Sequence, residues 1–289
     1  AGLINAARDT RTSPEHHTTY LARSSDGLVW DLVPNFQPPQ GSVPDVIRRD
    51  DMLYLYNPGL VTRIDLATGL VMPTACVDVD GLSYGFVDPS PTLDENGKIV
   101  LVFLHCVDDN DASAMCFGAS GERYQIIGSA TEIDDGDGVT FTLDDDFASG
   151  TITSGRILLA GTTYSGGTDP DIFYDDHESR WVIYLSTGST TSVWTSTSLR
   201  GSYALLDAPN AGLLTNGTGG VASGARTATE YWIFAHANVS DRTVVRRATA
   251  TTLDETVAND AWATVLNDSE TGFSVTTNIE SPGFAQNEP

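Results

Sequence analysis

The chain has 289 residues, 40% of them hydrophobic, with 10 Tyr, 10 Phe and 5 Trp, enough apolar and aromatic matter for a core of pleated strands. Asp and Glu total 39 against 15 Lys and Arg, and the net charge of −24 argues against a nucleic-acid backbone or an anionic membrane as partner. No apolar run approaches the roughly 20 residues that span a bilayer, and long amphipathic helical patterns are absent.

The chain begins Ala1-Gly2-Leu3, without an initiator Met or a charged-then-apolar leader, as artificial trimming or removal of a secretion signal would leave it. Residues 18–30 read as a strand, a Ser24-Ser25-Asp26-Gly27 turn and a second strand ending in Trp30, which is hairpin chemistry. Next comes a corner, Ser42-Val43-Pro44-Asp45-Val46-Ile47, followed by the aromatic strand Met52-Leu53-Tyr54-Leu55-Tyr56. The phrase returns as Val87-Asp88-Pro89-Ser90-Pro91 with residues 99–103. It returns again as Thr168-Asp169-Pro170-Asp171-Ile172-Phe173 with residues 181–185. Fainter copies are Gly220-Val221-Ala222 with residues 231–234, and Glu280-Ser281-Pro282-Gly283-Phe284 near the C-terminus. The hairpin phrase recurs at 127–141, 193–203 and, loosely, 247–262.

Self-similarity at this scale signals a propeller or solenoid, because one small sheet cannot bury both of its faces. Joining the two phrases gives four-stranded antiparallel units whose inner strands start near 43, 87, 169, 220 and 280. The expected fold is an all-β, five-bladed β-propeller, with residues 1–289 as a single domain. Its closing blade joins roughly residues 1–34 to 278–289, with residues 3–7 as the strand between, and so shuts the ring without an exposed edge.

Three cysteines leave two readings. Cys106 and Cys116 flank an Asp-rich turn and face each other across a hairpin as a disulfide, with Cys76 left over, or all three are buried thiols. Asn216, Asn238 and Asn267 each open a glycosylation sequon, compatible with secretion. Asp108-Asp109-Asn110-Asp111 and Asp134-Asp135-Gly136-Asp137-Gly138 have the oxygen donors for Ca2+ but not the spacing of a calcium loop, so solvated turns are the default. No His pair among His16, His17, His105, His177 and His236 has zinc-ligand spacing, and His105 and His236 read as structural.

In a propeller the inner strands converge on a central channel. Asp45, Asp88, Asp169 (with Asp171) and Glu280 are therefore expected around one mouth of it. Carboxylates around a cleft are the equipment of glycoside hydrolysis: one donates a proton to the leaving oxygen, one activates water, and a third raises the acid's pKa by repulsion. The competing reading makes Asp88 and Asp169 strand-start residues that cap the turn above them, and Glu280 part of a terminal latch.

The corners resemble those of the five-bladed family-43-type glycoside hydrolases, and the Ser24-x-Asp26-Gly27-x-x-Trp30 hairpin resembles the aspartate-box turn of sialidase-type propellers. The first resemblance implies an Asp base on an early blade, an Asp modulator in an Asp-Pro corner and a Glu acid in a Glu-x-Pro corner. Asp45 sits where that base would be, Val87-Asp88-Pro89 fits the modulator, and Glu280-Ser281-Pro282 has the spelling of the acid corner. The family's acid belongs on the third blade, where this chain has Thr168-Asp169-Pro170.

The leading expectation is a secreted, extracellular glycosidase with a carbohydrate or glycan as partner. It requires no cofactor, and Ca2+ is the one ion its loops have the donors to hold. The alternatives are a non-catalytic carbohydrate-binding or adhesive propeller, with Trp181, Trp194 and Trp232 as sugar platforms, and a structural subunit that self-associates by exchanging its terminal strand.

Overall fold

The structure is a computed structural model and describes residues 2–9, 17–34, 36, 41–80, 86–106, 125–133, 136–144, 167–239, 242–267 and 278–286. The chain starts in β1 (Gly2–Asp9), β2 (Thr18–Ser24) and β3 (Asp31–Leu32). The next sheet runs from β4 (Asp45–Arg49) through β5 (Met52–Asn57) and β6 (Leu60–Asp65) to β7 (Ala75–Cys76). A short β8 (Asp78–Asp80) then joins a sheet of β9 (Phe86–Leu93), β10 (Ile99–Cys106), β11 (Gln125–Glu132) and β12 (Thr140–Leu143). A third unit holds β13 (Thr168–Asp175), β14 (Arg180–Thr187), β15 (Thr190–Ser196), β16 (Ala204–Leu205) and β17 (Leu213–Asn216). The fourth holds β18 (Gly220–Arg226), β19 (Tyr231–Val239), β20 (Arg242–Ala250) and β21 (Ala263–Leu266). Finally β22 (Asn278–Gln286) returns to pair antiparallel with β1, so the closing sheet has the order β22-β1-β2-β3.

The result is a β-propeller. Among the described residues five sheets form, and their inner strands β4, β9, β13, β18 and β22 touch one another in a closed cycle. Two sheets depart from the uniform four-stranded antiparallel unit expected: β17 adds to β15, and β8 pairs parallel with β12. The second departure has a physical reason, since β8 continues from the first blade's outer strand and covers the edge of its neighbour.

The continuous apolar runs of the middle strands are explained by burial on both faces. In β14, Val182 and Tyr184 point into a core shared with the fourth blade, while Ile183 and Leu185 point into one shared with the second. In β10, Val100, Val102 and Leu104 face the third blade, and Ile99, Leu101 and Phe103 face the first. Between the fourth and closing blades Trp30, Phe234 and Phe284 pack with ring centroids 4.9 to 6.5 Å apart. Leu21 and Ala285 meet Val46, Leu53 and Leu55 across the last interface.

The turn between β2 and β3 has the hydrogen bonding its residues imply. Ser24 Oγ accepts from Gly27 N at 2.8 Å, and Asp26 Oδ1 accepts from Leu28 N at 2.8 Å and Val29 N at 3.0 Å. Those backbone donors hold the Asp26 carboxyl below the usual carboxylate range. Trp30 Nε1 donates to Gly27 O at 3.0 Å. Gly27 is required twice over: its φ is +72°, and a Cβ there would lie 2.7 Å from the Trp232 ring.

Candidate active site at the channel mouth

Each inner strand is entered through a non-glycine residue in the left-handed region: Val43, Asp88, Asp169, Val221 and Ser281, with φ between 44° and 53°. Pro follows in four of the five and Ala222 in the other. Proline carries no N–H for the ladder, and the corner pair drops out of it. The register skips residues 88–89, 169–170, 221–222 and 281–282, so these corners are β-bulges. Left-handed backbone at a non-glycine costs roughly 1–3 kcal/mol and persists where its surroundings over-determine it, as at functional sites.

Two adjacent corners carry carboxylates. Asp88 Oδ2 accepts from Asp169 N at 3.3 Å, and Thr168 Oγ1 donates to Asp169 Oδ2 at 2.5 Å. Burial, and then the charge of Asp169, push Asp88 up to about 8, and burial raises Asp169 as well. Two such groups cannot both ionise near neutrality, so the pair retains a proton there.

Two residues further along each strand lies a second layer: Asp45, Ser90, Asp171, Ser223 and Gly283. The structure places Asp45 here and not at the mouth, where its blade presents Val43. The Asp45 side chain is committed to joining blades. Its Oδ1 accepts from Val46 N at 2.8 Å and Phe284 N at 3.2 Å, and its Oδ2 from Ser90 Oγ at 2.9 Å. Ser90 Oγ accepts in turn from Ile172 N at 3.0 Å, and Asp171 Oδ2 from Gly224 N at 3.0 Å. Burial pushes Asp171 up to about 7; burial followed by the charge of Asp171 raises Asp45 well above the usual range. Gly283 is glycine because a Cβ would lie 2.5 Å from Pro44 O and 2.6 Å from Asp45 Cα.

Glu280 is half-buried at the start of β22, one residue before the Ser281 corner. In the cycle of inner strands, β22 lies across the channel from the adjacent pair β9 and β13, so the Glu280 corner stands opposite Asp88 and Asp169. Val43 and Val221 occupy the corners between. The structure thus groups Asp88 with Asp169, sets the Glu280 corner across from them and removes Asp45 to the layer below.

Other expected residues fall elsewhere. Trp194 lies in the core between the second and third blades with Trp181 packed against it, and Trp232 packs against the core between the fourth and closing blades, so the three belong to blade interfaces. Asp137 Oδ1 caps Val139 N at 2.8 Å, whereas residues 108–111, 134–135 and Cys116 lie outside the described residues, and with them the disulfide, the whole of the first Ca2+ loop and the start of the second. Among the described residues no three His, Cys, Asp or Glu gather to hold a metal ion. Cys76 is an exposed thiol. His236 is the structural histidine expected, and its Nδ1 accepts from Ser281 N of the closing blade at 3.4 Å. The available signal for that contact was the side-chain-free Gly220 opposite it in the ladder.

Comparison with solved structures places this architecture. The chain superposes on a GH43_1 enzyme from Xanthomonas citri with a TM-score of 0.53, at 15% identity over 89% of this chain and 91% of that one. The fold is that of family-43 glycoside hydrolases. A family-43 β-xylosidase/α-arabinofuranosidase from a compost microbial metagenome, solved with xylotriose in a calcium-free form, matches with a TM-score of 0.52, at 13% identity over 89% and 95% of the two chains. An endo-arabinase from Bacteroides thetaiotaomicron matches with a TM-score of 0.52, at 14% identity over 83% and 88%. No protein-family model and no curated protein sequence matches the chain.

Proposed function

We propose that the protein is an extracellular glycoside hydrolase acting on a neutral carbohydrate. Asp88 and Asp169 supply the proton for the leaving oxygen, and Glu280 supplies the carboxylate that activates water. The observation that carries this reading is the carboxyl pair on adjacent strained corners, with Asp88 pushed up to about 8 and hence protonated at neutral pH. The pair hands its proton to the glycosidic oxygen as the bond to the anomeric carbon breaks. Glu280 takes a proton from water as the water oxygen bonds that carbon from the other face. An acid and a base on opposite sides of the ring, with a water between them, are what an inverting reaction uses. None of the five corner residues is cationic, so an anionic sugar finds no counter-charge there. The net charge of −24 suits a solvated extracellular surface.

Xylosides and arabinosides are the first substrates to try, given the neighbours' activities. Asp88→Asn, Asp169→Asn and Glu280→Gln should each lower kcat/KM on the responsive substrate by about 100-fold or more. Full activity in all three contradicts the reading. A second reading, glycan binding without turnover, is favoured by one observation: Val43 stands at the first-blade corner, where the resemblance puts a base. Calorimetric binding of the same glycans with no product released would select it.

A further inference from the structure

The corner that interrupts β22's ladder is held from both sides by side chains of other blades. Within its own blade the pairing steps from Asn5↔Gly283 to Ala7↔Glu280, so Ser281 and Pro282 take no part in the ladder. From the fourth blade, His236 Nδ1 accepts from Ser281 N at 3.4 Å; from the first, Asp45 Oδ1 accepts from Phe284 N at 3.2 Å. The first bond repeats the one at the third blade, where Asp88 Oδ2 takes Asp169 N at 3.3 Å. In both, a side chain of the preceding blade satisfies the N–H of a left-handed corner. We propose that His236 and Asp45 are positioning residues for Glu280, fixing the closing-strand corner against the Asp88–Asp169 pair.

The inference rests on the reading of Glu280 given above, but the clamp itself does not. A His that accepts through Nδ1 carries its proton on Nε2 and is neutral. Burial pulls His236 down to about 4, which keeps that acceptor available at neutral pH. Gly220 opposite it leaves the ladder without a competing side chain. Ser281, 4% exposed, would otherwise bury a left-handed N–H with no acceptor.

Amide hydrogen exchange on the full chain tests the clamp without needing a substrate. His236→Leu should speed exchange at Ser281, and Asp45→Ala at Phe284, by about tenfold, while β9 and β13 keep their protection. His236→Asn, which keeps an acceptor near the place of Nδ1, should restore Ser281. If Asp45→Ala fails to fold, Asp45→Asn, which retains Oδ1, should protect Phe284 as the parent does. Unchanged exchange at Ser281 in His236→Leu, or an equal rise along the whole chain, overturns the proposal. On a turned-over substrate, His236→Leu should lower kcat about tenfold with KM unchanged, and His236→Asn should recover it; an unaltered kcat overturns the positioning role. Inactivity of the parent protein would sink the reading of Glu280 while the exchange result still decides the clamp.

Discussion

At the mouth, Asp88 and Asp169 sit on left-handed bulges outside the ladder, with few hydrogen bonds to their carboxyls. Two residues along the same set of inner strands, Asp45 and Asp171 lie buried in regular strand, bonded to backbone N–H groups of adjacent blades. Both layers raise carboxyl pKa values by burial, yet the upper pair is only half-buried while Asp45 and Asp171 are buried. A shifted pKa alone therefore does not mark a site here. The two layers differ instead in backbone, with Asp88 and Asp169 on bulges outside the ladder and Asp45 and Asp171 at ladder positions.

Several substitutions break or sharpen that contrast. The largest expected effect is at the mouth, where Asp169→Asn should cost about 100-fold or more in hydrolysis, measured with aryl glycosides, while leaving the folded state intact. In the layer below, Gly283→Ala should destabilise the fold by about 3 kcal/mol in denaturant titration, since its Cβ meets backbone atoms of Pro44 and Asp45 that cannot move aside. Asp171→Ala, which strands the buried Gly224 N–H, should cost about 2 kcal/mol in the same titration.

A pH effect follows from the same groups. Asp88 at about 8 and Asp171 at about 7 hold protons in the folded state that the unfolded chain, near 3.8, releases. Their contribution to stability is therefore complete below about 3.8, falls as pH rises above it and is gone once pH has passed the folded values of about 7 and 8. Below 6.5 His236, lowered to about 4, works the other way: the unfolded chain binds its proton first, and stability falls as pH drops towards 4. Melting temperatures should decline from pH 5 to about 8 and level off above it, and Asp88→Asn should flatten the decline. A smaller effect belongs to the turn between β2 and β3, where Ser24→Ala, removing the acceptor for Gly27 N, should cost about 1 kcal/mol.

The repeat was legible because it is written in turn chemistry: Pro in four of the five corners, Asp-Gly turns and wholly apolar strands where both faces are buried. The closing blade was legible because the first and last segments each lack what the other supplies. The exact layer of each carboxylate was not. Pro44-Asp45 and Asp88-Pro89 look like variants of one corner, and only the ladder shows that Asp45 is in register with Ser90 and Asp171. His236 was read as structural, but a side chain's reach across blades leaves no trace in local spacing.

The most direct measurement is a carboxyl 13C NMR titration of Asp-labelled protein, with the mouth resonances assigned by their loss in Asp88→Asn and Asp169→Asn. The account predicts that the pair releases its last proton well above the ordinary carboxylate range, near 8, and that Asp169→Asn brings the Asp88 transition down. Ordinary titration of both mouth carboxyls near 4 would contradict it.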